Sequence, residues 1–289
     1  MFRFFVLLTA IFFITCNQNG QLSSEKKLIK SNELTVASKR LIEINNLDSA
    51  RILIEQALKL NPNNYVAYNN RALLNAKQNF PQEQIVYDYQ KCLELNPDYD
   101  IAIYSLASYY SSIKNYEYCI IYADRYLRLS RYDNENKKFK HDMYAVKGES
   151  EQYLLQFDKA IVDFKKAIEL DSNDKGVHKD LADCYYFSNL PDLAIKEYSK
   201  AIQLDSSYFQ AYLGRAMIYE ASEVPALIHL AMLDYRKALS IDPNVVDIYK
   251  TNSSLFMREK NLINKSNCNC CYLSLFSRHI KILLRRVLV

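Results

Sequence analysis

The 289-residue chain is 49% hydrophobic, contains only 4 glycines and 6 prolines, and has a formal net charge of +4. This apolar content excludes a disordered protein, and the scarcity of glycine and proline favours helices joined by short connections. The modest charge argues against a nucleic-acid-binding protein, for which a strongly basic surface is typical.

The first sixteen residues have the pattern of an export signal. One positive charge, at Arg3, precedes an uninterrupted apolar run over residues 4–14, and polar residues follow Cys16 directly. The run is shorter than the roughly 20 residues that a transmembrane helix needs, but it has the length of a signal-peptide hydrophobic region. We therefore expect this segment not to form part of the fold.

The sequence that leads to Cys16 resembles a bacterial lipoprotein signal, in which the cysteine becomes the lipidated first residue. Phe13 and Thr15 depart from that pattern, which usually has Leu three residues before the cysteine and Gly, Ala or Ser directly before it. The resemblance implies a signal peptide over 1–16, a lipid on Cys16, and a polar tether over 17–30.

The residue after Cys16 bears on location. Asn17 stands where an aspartate would indicate retention at the inner membrane, so the resemblance implies a cell-envelope lipoprotein anchored in the outer membrane and facing the periplasm. An ordinary signal peptide, an uncleaved anchor or a buried helix are the alternatives, and the last leaves the protein in the cytoplasm.

A repeated motif occupies the middle of the chain. Six segments have an aliphatic residue at their second and fourth positions and then Asn, Asp or Ser, and they begin at Ala57, Cys92, Tyr126, Ala167, Ala201 and Ala238. Their spacings are 35, 34, 41, 34 and 37 residues. This near-constant period predicts a repeat protein.

Within each unit the residues are similar to the tetratricopeptide repeat, whose period is about 34 residues. A small residue recurs in the first half, at Ser38, Ala72, Ala107, Gly148, Ala182 and Ala216. A mostly small residue recurs in the second half, at Ala50, Ile85, Cys119, Ala160, Ala194 and Ala231. Four residues later stands a mostly large one, at Ile54, Tyr89, Ala123, Phe164, Tyr198 and Tyr235. Small residues let two helices approach closely, and large ones fill the space between hairpins.

The resemblance implies an all-α fold, a right-handed solenoid of about six helix-turn-helix repeats plus a capping helix, over residues 31–257. The capping helix is expected over 249–257. The 41-residue spacing predicts an insertion around 132–140 that forms a solvated link, and the 37-residue spacing predicts a longer turn around 222–225.

In three repeats a basic residue on the first helix faces an aspartate on the second helix. The pairs are Arg71 with Asp88, Lys147 with Asp163, and Arg215 with Asp234. We predict an ion pair inside each of these repeats, with a structural and not a catalytic role.

The sequence has no residue pattern that is typical of an enzyme. Its 4 glycines are too dispersed for a phosphate-binding loop or a dinucleotide fingerprint. No pair of histidines has metal-binding spacing, and no serine lies in a nucleophile elbow. We therefore predict no catalytic activity, no cofactor and no small-molecule substrate.

The cysteines other than Cys16 form two groups. Three occupy positions where the repeat requires a small buried residue, which predicts free core thiols at Cys92, Cys119 and Cys184. Three others are crowded together, at Cys268, Cys270 and Cys271. Their spacing leaves only His279 nearby as a further ligand, so we predict a disulfide-prone or unstructured segment and no metal site.

Some tetratricopeptide proteins hold a partner's C-terminal carboxylate with Lys and Asn side chains from three successive repeats. The matching positions here are Thr35, Lys39, Asn70, Ile101 and Ser105. Only Asn70 fits, which argues against this kind of co-chaperone.

The concave surface of such a solenoid is made mainly of first helices. The resemblance implies that it presents Asn69, Leu73, Tyr104, Ser108, Glu149, Lys179, Asp183, Leu213 and Met217. Aromatic and aliphatic side chains would supply contact area, and polar ones would reach backbone groups, so this mixture suits an extended peptide or a helix.

Residues 258–289 differ from the repeats in composition. The segment 273–289 combines aliphatic residues with four basic ones, at Arg278, Lys281, Arg285 and Arg286. It predicts either a basic amphipathic helix or a poorly ordered tail with no selected role.

Taken together, the sequence predicts an interaction scaffold that binds a protein or peptide in its concave groove. The expected partners are that protein and, through Cys16, a membrane. The alternative is a cytosolic scaffold or co-chaperone without a lipid.

Overall fold

The computed structural model describes the backbone of residues 2–129, 137–222 and 224–243, and the side chains from residue 23 onward within these ranges. The described residues form twelve α-helices and no strand, which confirms the predicted all-α class. The helices are α1 (Phe2–Glu43), α2 (Leu47–Leu60), α3 (Tyr65–Lys77), α4 (Gln82–Leu95), α5 (Asp100–Ser112), α6 (Tyr116–Leu129), α7 (Lys137–Tyr153), α8 (Phe157–Leu170), α9 (Lys175–Phe187), α10 (Pro191–Leu204), α11 (Phe209–Glu220) and α12 (Pro225–Ile241).

Helix α1 contains the backbone of both the predicted signal segment and the predicted tether. In the part of the chain that the structure describes, no helix has both the length and the apolar character needed to span a membrane. Cleavage and lipidation at Cys16 stay predictions.

The helices form two units, which divide the chain between Ile113 and Lys114. In unit 1, α1 packs against α2 and α3 against α4, while α3 also contacts α1 and α5. In unit 2, α7 packs against α8, α9 against α10 and α11 against α12, while α9 also contacts α7 and α11. Helix pairs whose first helices lie side by side are the packing pattern of a repeat solenoid.

The small and large positions of the repeat are buried, as predicted. Close approach of the helices makes glycine necessary at position 148, since a Cβ there would lie 2.8 Å from a ring carbon of Phe164. Gly214, on α11, allows close approach to the preceding hairpin, because a Cβ there would overlap the ring of Tyr198 on α10.

Part of the extra length of two repeats lies in helices, which corrects two predictions in part. Helix α12 has 17 residues where the second helices α8 and α10 have 14, so most of the extra residues expected in a longer turn around 222–225 form an added helical turn. The connection before α12 has four residues, against three before α10. Helix α7 likewise has 17 residues and begins at Lys137, so 137–140 is helical and not a link. An added helical turn satisfies its own backbone hydrogen bonds, which a loop would leave to water. The predicted capping helix, the tail and the first part of the predicted link lie outside the described residues.

All three predicted ion pairs are present. Arg71 donates from Nε and Nη2 to the two carboxylate oxygens of Asp88 at 3.0 and 2.8 Å. Arg215 binds Asp234 in the same bidentate way, with both distances 2.8 Å. Lys147 Nζ lies 2.9 Å from Asp163 Oδ2, completing the set. The three aspartates are buried, so loss of Arg71 or Arg215 leaves a buried carboxylate without its bidentate partner, at a cost of about 3–5 kcal/mol for a fully buried pair. Asp163 also has Lys166 Nζ at 3.6 Å.

A left-handed residue occurs in each of the first five turns from a first helix to a second helix. These residues, with φ between 55° and 60°, are Asn45, Asn79, Lys114, Leu155 and Asn189. Asparagine tolerates this conformation because its short polar side chain bonds locally, whereas leucine has no such compensation. The turn at Leu155 is therefore locally unfavourable.

Candidate functional site

The nine residues predicted to line a groove are divided between the two units. Unit 1 contributes Asn69, Leu73, Tyr104 and Ser108, whose side chains are buried or partly buried. Asn69 is only 4% exposed, and its Oδ1 atom has no hydrogen-bond partner among the described residues. Leu73 packs against the core of unit 1. Asn69 and Leu73 therefore offer a partner little surface.

Unit 2 brings Glu149, Lys179 and Asp183 together, and they line one cleft of about 630 Å³ between α7 and α9. Leu213 packs instead against the core of unit 2. Met217 is 51% exposed but does not line the cleft.

The floor of the cleft is charged. Lys179 Nζ lies 2.8 Å from Asp180 Oδ1 and 2.9 Å from Asp183 Oδ2. Asp183 also accepts a hydrogen bond from the hydroxyl of Tyr198. Glu149 lines the cleft near Asp180 without an ion pair to Lys179 among the described contacts.

Burial changes the acidity of these groups. The pKa of Glu149 is raised to about 7, first by burial and then by the negative charge of Asp180. Burial also raises the pKa of Asp180, although Lys179 opposes that shift. For Lys179 burial acts to lower the pKa, but Asp180 and Asp183 outweigh it and raise the pKa above its ordinary value. A charged carboxylate is therefore costly in this cleft unless a cation accompanies it.

The rim of the cleft is apolar and unusually exposed. Tyr153, Leu155 and Phe187 are 67%, 73% and 61% exposed, respectively. Phe187 stacks on Phe157 with ring centroids 5.2 Å apart, and Tyr153 stacks on Tyr116 at 4.7 Å. The stacks hold Tyr153 and Phe187 in place, and more than half of each side chain stays exposed to solvent.

Sequence reasoning missed Asp180 and the rim, although a signal for part of the rim was present. Tyr153 follows Glu149 by four residues, and Phe187 follows Asp183 by four, so each pair lies on one helix face. Extending the predicted concave surface by one helical turn beyond Glu149 and Asp183 would have identified both aromatic residues. Leu155 was also visible, as a large apolar residue in a turn position that holds Asn in three other repeats.

Asn70 is unavailable for binding a C-terminal carboxylate. Its Nδ2 atom donates to the carbonyl of Thr35 at 3.0 Å and to Ser38 Oγ at 3.1 Å, and the residue is 2% exposed. The structure therefore gives the one matching residue a role in joining α1 to α3.

The described cysteines Cys92, Cys119 and Cys184 are free and buried, as predicted. Burial raises the pKa of Cys92 and of Cys184 to about 12, so both are protonated at neutral pH. Among the described residues no group of three or more His, Cys, Asp or Glu side chains could hold a metal ion. The predicted lipidation site, Cys16, and the crowded cysteines of the tail have no described side chains.

One repeat matches a family model. Residues 141–174, which include α8 and most of α7, match the tetratricopeptide repeat. No curated protein is significantly similar to the chain.

Solved structures with similar folds include a tetratricopeptide protein. YrrB, described as a TPR protein with an unusual peptide-binding site, is 20% identical, with a TM-score of 0.58 over 69% of this chain and 97% of its own. PilF of Pseudomonas aeruginosa is 15% identical, with a TM-score of 0.63 over 79% and 99%. MamA of Desulfovibrio magneticus RS-1 is 18% identical, with a TM-score of 0.54 over 62% and 97%. At these identities the likeness shows the fold, and that fold is the tetratricopeptide solenoid.

Proposed function

We propose that the chain is a scaffold that binds a segment of a partner protein, with the cleft of unit 2 as its contact surface. The observation that carries this proposal is the open apolar rim around a charged floor. Exposed aromatic and aliphatic side chains supply contact area, and half-buried polar groups beneath them supply orientation.

The fold supports the same proposal. Tetratricopeptide hairpins present a continuous surface of first helices, on which an extended segment can lie. The peptide-binding site for which YrrB is described is a property of that protein, and it supports the proposal only by analogy of fold.

We further propose that Cys16 carries a lipid that anchors the scaffold in the cell envelope, on the periplasmic side of the outer membrane. The support is the sequence before and after Cys16. Lipid chains on this cysteine would hold the protein by burying their methylene groups in the bilayer.

An affinity capture from detergent-solubilised envelopes tests both parts. The bait is the full-length protein, compared with a rim variant, Tyr153→Ser/Leu155→Asn, which removes two highly exposed apolar side chains. The matched control is Ile121→Ser/Val162→Asn, which changes two exposed side chains of unit 2 outside the cleft.

We expect a partner to be lost from the rim variant and kept by the control, and mass spectrometry to find lipid on Cys16. If both variants capture the same proteins as the parent, the cleft is not the contact surface. If Cys16 is unmodified and the chain still begins at Met1, the lipid anchor is wrong. Recovery of that form in the soluble cytoplasmic fraction would replace the envelope location with a cytosolic scaffold, and recovery in the membrane fraction would indicate an uncleaved anchor.

A further inference from the structure

The cleft of unit 2 contains more negative than positive groups. Glu149, Asp180 and Asp183 contribute three carboxyl groups, while Lys179 is the one basic residue among the side chains that line it. When all four groups are ionised, two negative charges are uncompensated. Both aspartates and the lysine are less than one-third exposed, so water screens these charges incompletely.

The surplus charge has a defined position. Lys179 is engaged by Asp180 and Asp183 at ion-pair distance. Among the described residues Glu149 has no cation at ion-pair distance, while it lies in the same cleft as Asp180 and Asp183. Burial and then the charge of Asp180 raise its pKa to about 7. A cation placed between Glu149 and Asp180 would reduce the repulsion between the two carboxylates. It would also stabilise their negative charges in place of the water that burial excludes.

The apolar rim indicates which ligand groups would lie next to that cation. The exposed faces of Tyr153 and Phe187 can contact the methylene stem or guanidinium plane of a basic side chain. The projecting side chain of Leu155 can pack against a neighbouring apolar residue. A free inorganic cation would leave these apolar surfaces in water, whereas a peptide would cover them.

We infer that the cleft recognises a lysine or arginine side chain, flanked by large apolar residues, in an extended segment of the partner protein. This inference rests on the proposed function and specifies the chemistry of its ligand. The polarity is opposite to that of a site for a C-terminal carboxylate, because the carboxylates of the cleft would repel such a group. The cation gives specificity and the rim gives most of the contact area.

A peptide-display selection on the full-length protein in mild detergent tests this inference. The probe is a library of random twelve-residue peptides, and enriched peptides are then measured by fluorescence polarisation. Glu149→Gln keeps the shape of the side chain and removes the uncompensated charge. The matched control is Glu169→Gln, which makes the same charge change at an exposed position of α8 outside the cleft.

We expect enriched peptides to contain Lys or Arg beside aromatic or aliphatic residues, and to bind Glu149→Gln about tenfold more weakly. The Glu169→Gln control should bind as the parent does. Enriched peptides that are acidic or uncharged, yet lose binding to the rim variant, would overturn the inference while the proposed function stands. Failure to enrich any peptide would overturn both.

A synthetic peptide of residues 273–289 completes the test, because this basic and aliphatic segment has similar chemistry. If it occupies the cleft more tightly than every selected peptide, the occupant is the chain's own tail, and the assignment to a partner protein is wrong. We expect it to bind no more tightly than the selected peptides.

Discussion

The hydroxyl of Tyr198, on α10, donates a hydrogen bond to the carboxylate of Asp183, on α9. Tyr198 is buried in the core of unit 2, while Asp183 lines the cleft. A residue of the repeat framework therefore positions a residue of the candidate site. This hydrogen bond links the core of the hairpin to the floor of the cleft.

Tyr198→Phe should lower both stability and ligand binding. A hydrogen bond to a charged group contributes about 1.5–3 kcal/mol, and its loss frees Asp183 to change orientation. Urea denaturation would measure the stability, and fluorescence polarisation with a selected peptide would measure binding.

Tyr235→Phe is the control for this prediction. Tyr235 occupies the same position in the next repeat and donates to Glu220 Oε2 at 2.6 Å, away from the cleft. It should cost similar stability and leave binding unchanged. Equal effects of the two variants on binding would show that Tyr198 acts only through general stability.

Leu155→Asn should make the protein more stable. Leu155 has a left-handed φ of 59°, which costs a non-glycine residue on the order of 1 kcal/mol, and asparagine reduces that cost. Lys114→Asn makes the same correction in another turn, and Asn189→Leu makes the reverse change. The midpoint of urea denaturation should rise for the first two variants and fall for the third. A fall for Leu155→Asn would mean that contacts of the leucine outweigh the backbone cost.

Gly214→Ala should destabilise unit 2, although alanine is the better helix former by about 1 kcal/mol. The added methyl group would overlap the buried ring of Tyr198, and overpacking of this kind costs about 1–3 kcal/mol. Gly148→Ala is the graded comparison, since its Cβ would lie 2.8 Å from the ring of Phe164, which allows more room. Thermal unfolding should show the larger loss for Gly214→Ala, and a gain in Tm for that variant would contradict the packing argument.

The helix-packing positions of the repeats could be predicted from sequence because each of them has the same packing environment in every repeat. Close helix packing permits only small residues at Ala182 and Ala216, and a basic residue beside a facing aspartate predicts a pair such as Arg71 with Asp88. Periodicity alone was sufficient to predict these positions, since every repeat packs against its neighbours in the same way.

The cleft could be predicted only in part, because it depends on departures from the repeat. Glu149, Lys179 and Asp183 were found through the shared register of the first helices. Leu155 lies in a turn, where the period specifies a left-handed backbone but not a side chain. Asn69 is an error of the other kind. Its position in the repeat predicted a place on the concave surface, but the packing of neighbouring helices buries it.

Glu151 should make stability depend on pH. Its pKa is raised to about 7, first by burial and then by the charge of Asp163, while Lys147 and Lys159 oppose the shift. A pKa above the unfolded value means that the favourable contribution is complete below about pH 4.5 and is lost as pH rises through about 7. Glu151→Gln should therefore be more stable than the parent at about pH 8, with a smaller difference at about pH 5.

Urea denaturation at the two pH values checks this sign. Glu169→Gln serves again as the control, because it removes one carboxylate at an exposed position. A stability difference between the parent and Glu151→Gln that is the same at both pH values would refute a role for the ionisation of Glu151.

Peptide binding should itself depend on pH through Glu149. The groups that act on this carboxyl are Asp180 and Asp174, which raise its pKa beyond the effect of burial, and Lys179, which lowers it. A bound lysine or arginine side chain favours the carboxylate, so it lowers the pKa of Glu149 from about 7 and binding releases a proton. Affinity should consequently rise between about pH 6 and about pH 8 and become constant above that range.

The Glu149→Gln variant separates this mechanism from titration of other groups. It lacks the titrating carboxyl, so its weaker affinity should be nearly constant over the same pH range. An unchanged pH profile in the variant would assign the proton to another group, such as Asp180, whose pKa burial also raises. A fall in the affinity of the parent protein with rising pH would mean that the ligand loses positive charge in this range or is an acid. Either outcome would contradict a lysine or arginine side chain in this cleft.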